Sequence, residues 1–212
     1  MKWGSDPLEP QCGRITLHHG ALEAARLVRF GILSKVHSNF VQYIPQKHMN
    51  ITLIGMPGSG KSYLGKILAE SLGYTCIELD LITELRYKRP LEEVLTTIGE
   101  AAFLAEQAND AITQTTDKDN LIISPGGSII YSTEAMQHLK TVSKVIYLKT
   151  SIEIIKERIK EVPRGIVGLN NKTFEELYIE RTNLYEHWAD YILDAEQDST
   201  EIVTAIKNIL LK

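Results

Sequence analysis

The run Gly55-Met56-Pro57-Gly58-Ser59-Gly60-Lys61-Ser62 fits the pattern G-x-x-x-x-G-K-[S/T], and its surroundings fix its setting. The β-rich, apolar Ile51-Thr52-Leu53-Ile54 leads in, and the helix-forming Tyr63-Leu64-Gly65-Lys66-Ile67-Leu68-Ala69 leads out. A strand that passes through a glycine loop directly into a helix opens an α/β unit, which points the rest of the chain toward a layered α/β architecture. Glycines at 55, 58 and 60 let successive N–H groups turn inward into a concave anion nest. The next helix adds its unpaired N-terminal N–H groups and the positive end of its dipole. Lys61 brings a mobile charge, and the Ser62 hydroxyl is placed to ligate Mg²⁺, a hard cation that keeps several waters and takes few protein ligands. A plain glycine-rich turn would not require Lys-Ser at its end. The loop therefore marks a nucleoside-triphosphate site, with Gly58, Ser59, Gly60, Lys61, Ser62 and Tyr63 as expected nucleotide contacts.

From residue 50 onward, strand-like and helix-like periods alternate. Ile51–Ile54, Thr75–Glu78, Leu121–Ser124, Val145–Leu148 and Tyr191–Leu193 are short β-rich runs separated by segments with apolar residues at three- and four-residue spacing. This predicts a three-layer α/β/α domain built on a five-stranded parallel sheet, with ligands gathered at the carboxyl ends of the strands. Thr133 and Ser151 are candidate helix caps, and Glu201–Leu211 reads as a closing helix that packs through Ile202, Ala205, Ile206 and Ile209. Glu78 and Asp80 follow the second strand, spaced so that both face the crevice if the strand continues through them. One would serve a metal-bound water and the other a substrate hydroxyl; ordinary solvated acids are the competing account. Gly126 and Gly127 close the third strand, where paired glycines allow a ligand close to the backbone, unless they form only a tight turn.

Composition excludes several function classes. A chain of 212 residues with 43% hydrophobic side chains can bury one good core. A formal charge of −4 and the lack of a basic, aromatic-interleaved patch argue against nucleic acid as the main partner. No uninterrupted apolar run reaches about 18 residues, so no membrane-spanning helix is expected. Cys12 and Cys76 are far apart without metal-ligand spacing and suit a reducing cytoplasm. The expectation is a cytoplasmic monomer. His138, His187 and Trp188 read as surface or packing residues, with no metal implied beyond nucleotide-bound Mg²⁺.

Residues 1–48 have a different character, holding four of the six histidines, more Lys and Arg than Asp and Glu, and the turn-rich Asp6-Pro7-Leu8-Glu9-Pro10. They read as an N-terminal extension, disordered or non-native, ahead of a phosphate-loop domain at 49–212 that begins naturally at Met49. Arg14, Arg26 and Arg29, with Glu23 as the one nearby acid, also leave room for a transit peptide.

The order of later motifs adds a further constraint. After the phosphate loop come Glu78-x-Asp80, Gly99-Glu100-Ala101-Ala102-Phe103, Pro125-Gly126-Gly127, Pro163-Arg164-Gly165 and Arg181-x-x-Leu184-Tyr185. This series, from about Asn50 to Lys212, resembles the shikimate kinase family. The resemblance implies a sheet of the nucleoside-monophosphate-kinase type, a mobile lid, and transfer of the γ-phosphoryl of ATP to a ring hydroxyl of shikimate, a step of aromatic amino acid biosynthesis. It also implies that Asp80 bonds the substrate hydroxyls and is a candidate base, that Arg181 holds the substrate carboxylate, and that Gly126 and Gly127 belong to the substrate loop. Arg164 falls where a lid arginine reaches the transferring phosphate, Arg158 lies near an adenine-stacking arginine, and Glu78 falls on the acid that serves the magnesium water. The lid is expected over Glu161–Thr173, with Lys61, Asp80 and Arg164 as the catalytic set.

The departures bear on substrate more than on chemistry. Glu78 stands where the family has Asp, and Tyr63 where it has Thr. Leu104 occupies the position of a second carboxylate-binding arginine, Pro125 replaces the first glycine of the substrate loop, and Gln107 replaces an acid that would position the missing arginine. One lost hydrogen bond to a charged group would weaken an otherwise unchanged shikimate complex by about tenfold to a hundredfold. Leu104 is expected to make that side of the pocket apolar. Three readings stay open: a kinase of shikimate or a similar small hydroxy acid, a kinase of a different polyol, and a nucleotide-binding protein without turnover.

Overall fold

The computed structural model describes residues 49–160, 165–169 and 171–211. The N-terminal extension, Cys12, Arg164 and most of the first half of the expected lid lie outside the described residues.

Among the described residues five strands form one parallel sheet. They are β1 (Asn50–Ile54), β2 (Thr75–Glu78), β3 (Leu121–Ser124), β4 (Ser143–Lys149) and β5 (Tyr191–Asp194), in the spatial order β2-β3-β1-β4-β5. The registers Ile51 opposite Ile122 and Leu53 opposite Ile146 place β1 between β3 and β4. After β1 the chain fills the sheet to one side and then to the other, so the connections diverge around the carboxyl end of β1. In open α/β sheets such a switch point leaves a crevice for ligands.

Strand side chains alternate strictly between two faces. Ile51, Leu53, Ile122, Ile146 and Leu148 are buried against α1 (Lys61–Leu72) and α8 (Ser199–Leu210). Ile54, Leu121, Ile123, Val145 and Tyr147 are buried on the opposite side, where α4 (Glu100–Thr115), α5 (Thr133–Val142) and α7 (Phe174–Trp188) supply Ala111, Met136, Leu139 and Tyr185. Each buried branched side chain contributes roughly 1.5–3 kcal/mol relative to exposure, which holds the three layers together. Helices α2 (Leu79–Tyr87), α3 (Leu91–Ile98) and α6 (Ile152–Lys160) complete the fold. A smaller core of Val94, Phe103 and Val167 joins α3 and α4 to the segment after residue 164.

Local signals set the helix ends. Gly73 takes the left-handed conformation after α1 and returns its N–H to the Ala69 carbonyl. A full capping box of Thr173 and Glu176 starts α7. Helix α5 is capped by Ser132, whose Oγ accepts from Ala135 N, and the expected cap Thr133 is its first helical residue. At the expected cap Ser151, the backbone carbonyl receives Ile155 N, while Ser151 N donates to Glu196 Oε1. Helix α8 buries Ile202 and Ile206 as expected and Val203 as well, with Ala205 and Ile209 only partly covered.

Candidate active site

The loop between β1 and α1 wraps the carboxyl end of the central strand. Gly58 and Gly60 have φ of 85° and 95°, a region that other side chains rarely adopt, and Gly60 is the N-cap of α1. Lys61, largely buried, reaches back so that Nζ donates to the carbonyls of Gly55 at 2.8 Å and Met56 at 3.0 Å. The Ser59 hydroxyl is buried with no hydrogen-bond partner among the described residues. Tyr63 stands at the rim, 66% exposed.

A cleft of about 400 Å³ opens over this loop and is lined by Gly58, Gly60, Lys61, Ser62, Tyr63, Glu78, Asp80, Gly126, Gly127, Arg158 and Arg181. The residues expected from sequence are thus brought together, apart from Arg164, which is not described, and Ser59, which lines an adjoining cavity. That cavity, of about 330 Å³, lies between Gly58, Tyr63, Leu64, Arg158 and Ala195. Arg158 Nη1 donates to the Gly58 carbonyl at 3.0 Å, fixing the guanidinium between the two spaces.

Glu78 and Asp80 reach the cleft by a route other than an extended strand. β2 stops at Glu78 and α2 begins at Leu79, which puts Asp80 in the first turn of a helix, where a carboxylate interacts favourably with the helix dipole. Glu78 is held by Lys66, Nζ to Oε1 at 2.8 Å. Burial acts to raise its carboxyl, but hydrogen bonds from Lys66 and Ser62 together with the Lys66 charge outweigh it and hold it below the ordinary carboxylate range. Glu78 is therefore an anion at neutral pH, in hydrogen-bond contact with the hydroxyl of Ser62.

The opposite wall corrects one expectation about the pocket. Leu104 packs beside the Val94–Phe103–Val167 core and lines a separate groove with Tyr131, so the apolar wall of the cleft is made by Phe103, Leu91 and Val167. Arg181 is buried to 1% exposure; Nη2 donates to the Val167 carbonyl at 2.8 Å, Nε to Tyr131 Oη at 3.3 Å, and the guanidinium lies 5.3 Å from the Tyr131 ring centre. Within the described part of the expected lid, Ile166 and Val167 are buried and Gly168 N bonds Glu100 Oε1 at 2.9 Å, while Leu169, Asn171, Lys172 and Thr173 are exposed. Gly165 faces Glu92, whose Cα would lie 2.7 Å from an added Cβ.

Two site residues were not assigned roles from sequence. Gln107 is buried beside Asp80, with Nε2 donating to Asp80 Oδ1 at 3.0 Å. Tyr185 stacks on Tyr147 at 5.0 Å between ring centres, and its hydroxyl donates to the Gly127 carbonyl at 2.6 Å. Its place four residues after Arg181, on the same helix face, was the available signal. Replacing Tyr185 with Phe is expected to lower unfolding stability by about 0.5–1.5 kcal/mol by removing that partly buried hydrogen bond, read as a shifted urea midpoint at constant m.

Comparison with known proteins agrees with this geometry. The model of the family "SKI: Shikimate kinase" matches residues 57–211. The chain belongs to the shikimate kinase family. Shikimate kinase 2 of Photorhabdus laumondii is 32% identical over 166 residues, covering 74% of this chain and 93% of that protein. A shikimate kinase of Clostridium botulinum is 33% identical over 164 residues, covering 74% and 96%. Among solved structures, shikimate kinase from Acinetobacter baumannii in complex with shikimate superimposes with a TM-score of 0.70 at 25% identity, covering 78% of this chain and 94% of that one. A deoxyadenosine kinase from M. mycoides, with a TM-score of 0.50 and 18% identity, shares the fold. This member of the shikimate kinase family is a P-loop kinase of the nucleoside-monophosphate-kinase type, using ATP as its phosphoryl donor.

Proposed function

We propose that this kinase transfers the γ-phosphoryl group of ATP to a ring hydroxyl of shikimate or a closely similar hydroxy acid. The observation that carries the reading is one cleft holding the glycine-rich loop with Lys61 at its floor, a helix-borne carboxylate at Asp80 and a buried guanidinium at Arg181. The loop amides and Lys61 take the phosphates, and the nucleoside base enters the adjoining cavity against Arg158 and Tyr63. Asp80 accepts a hydrogen bond from the acceptor hydroxyl and aims its oxygen at the γ-phosphorus. As the new O–P bond forms, the bond from the γ-phosphorus to the bridging oxygen breaks, ADP departs with that oxygen, and the hydroxyl proton passes to Asp80 and on to solvent. Such a transfer asks the protein mainly for positioning and charge neutralisation.

The donor set fits Mg²⁺: the Ser62 hydroxyl and the anionic Glu78 carboxylate are hard oxygen groups in mutual contact beside the loop. Ser62 would ligate the ion and Glu78 would hold one of its waters, and the ion would neutralise phosphate charge when bound. Arg164 is assigned to the transferring phosphate, and Gly126 and Gly127 to the acceptor's floor. The kinase domain is assigned to 49–212 and residues 1–48 to an extension, in keeping with a family match that begins at residue 57.

A coupled assay of ADP release, run with Mg²⁺ and ATP, tests this. Shikimate is expected to accelerate ADP formation well above the rate without acceptor, with a phosphorylated product seen by mass spectrometry. A second reading, in which the acceptor is a less acidic polyol, is favoured by Leu104 in place of a cation and by Gln107 turned onto Asp80. Acceleration by such a compound with none by shikimate would replace the first reading, and ATP binding without turnover on any acceptor would retire both.

A further inference from the structure

We infer that Tyr63 sets the base preference of the phosphoryl donor: its ring gives a purine a stacking face in addition to the plane of Arg158, so this kinase takes purine nucleoside triphosphates as a class, GTP alongside ATP. This deepens the reading above and rests on it only in that a nucleoside base enters the cavity next to the phosphate loop. Lys61 opens α1, which makes Tyr63 the third residue of the helix. Helical side chains lean back toward the N-terminus, so a long ring at this position reaches toward the loop and not along the helix body. Tyr63 lines both the cleft and the adjoining cavity, and 66% of it is exposed. Among the described residues, Gly58, Gly60, Tyr63 and Arg158 are the ones that line both spaces. The boundary that a nucleotide must cross, with its phosphates on one side and its base on the other, is thus made of two glycines, one aromatic ring and one guanidinium.

Both planar groups suit a base. A guanidinium and a phenol ring each stack on flat heteroaromatic rings, and the Arg158 plane is held by its bond to the Gly58 carbonyl at 3.0 Å. Stacking is tolerant of base identity because every base has a π face, and it favours purines because two fused rings cover more of the partner. The threonine that the family has at this position carries no such face and would leave the boundary with one stacking plane. Beyond the boundary the cavity is walled by the apolar Leu64, Leu148, Ala195 and Ile202. Ser59 adds a hydroxyl that is buried without a hydrogen-bond partner among the described residues. A hydroxyl rotates to donate or to accept, so it would serve the amino group of adenine and the carbonyl of guanine alike. Telling adenine from guanine takes donors and acceptors fixed against the base edge, whereas telling a purine from a pyrimidine takes only stacking area. The ring of Tyr63 supplies the second.

Calorimetry on the full chain with ADP, GDP and CDP, each with Mg²⁺ and without an acceptor, tests this. Wild type is expected to bind ADP and GDP within about tenfold of each other and CDP about tenfold more weakly than either. Tyr63→Ala is expected to weaken ADP and GDP together by about tenfold to a hundredfold, the scale of losing one base–aromatic contact, and to narrow the gap to CDP. Tyr63→Phe keeps the ring and is expected to bind both purines within about threefold of wild type. GTP is expected to phosphorylate the acceptor that ATP phosphorylates, with the product seen by mass spectrometry. Wild type that binds GDP more than about tenfold more weakly than ADP would overturn the inference, because the base edge is then being read. So would Tyr63→Ala with unchanged ADP affinity, which makes Tyr63 an ordinary rim residue, or Tyr63→Phe that loses as much as Tyr63→Ala, which assigns the contact to the hydroxyl. Should Tyr63→Ala fail to fold, the GDP-to-ADP ratio of wild type and the Tyr63→Phe affinities decide. Purine binding in this pattern without turnover on any acceptor would strike the kinase reading and leave the role of Tyr63 standing, since the calorimetry involves no acceptor.

Discussion

Lys61→Met is expected to cut kcat by about a hundredfold to a thousandfold, the scale of losing one preorganised group that stabilises developing charge. The lysine is tied into the loop, with Nζ on the Gly55 and Met56 carbonyls, so its charge is fixed at the mouth of the phosphate cradle. Methionine keeps the length and the buried stem but carries no charge. Because negative charge at the phosphates shifts during transfer, the loss falls more on kcat than on ATP binding; weaker ATP binding with kcat unchanged would mark uniform binding instead. Single-turnover measurements with ADP affinity determined in parallel separate these cases. A kcat within a few-fold of wild type would mean that the loop does not carry the reaction.

Much of the framework was legible because its determinants are local. The glycine pattern between an apolar strand and a helix placed the nucleotide loop, and the β-rich runs at 75–78 and 121–124 coincide with β2 and β3. What escaped was set by tertiary contact. Asp80 follows a strand in sequence, yet α2 begins at Leu79, since the chain must turn to cover the sheet and bury Leu79 and Thr83. Ser132 caps α5 because its extended backbone lets the hydroxyl reach Ala135 N, a geometry that two adjacent hydroxyl residues do not reveal in sequence. Gln107 looked like the loss of an acid, because spacing along α4 says nothing of Asp80, 27 positions earlier. Leu104 is next to Phe103 in the chain, but adjacent helical residues point about 100° apart, so Phe103 faces the cleft while Leu104 lines the neighbouring groove.

Gly126→Ala and Gly127→Ala are expected to fail in different ways, although the residues are neighbours. A methyl group at 126 would lie 2.5 Å from Asp80 Oδ1 and 2.2 Å from Gln107 Nε2, so the carboxylate or the amide that anchors it must move. A displacement of about 1 Å in a group that aligns the reacting oxygen costs on the order of a hundredfold in rate, and kcat should fall by that much while ADP still binds. A methyl group at 127 would meet Pro57 Cδ at 2.8 Å, a ring in the phosphate loop that cannot swing aside as a flexible side chain can. That push is transmitted to the nucleotide cradle, so Gly127→Ala should weaken ADP binding measurably by calorimetry. The opposite pattern, with nucleotide affinity lost at 126 and kept at 127, would mean that Asp80 and Gln107 do not form the acceptor side of the cleft.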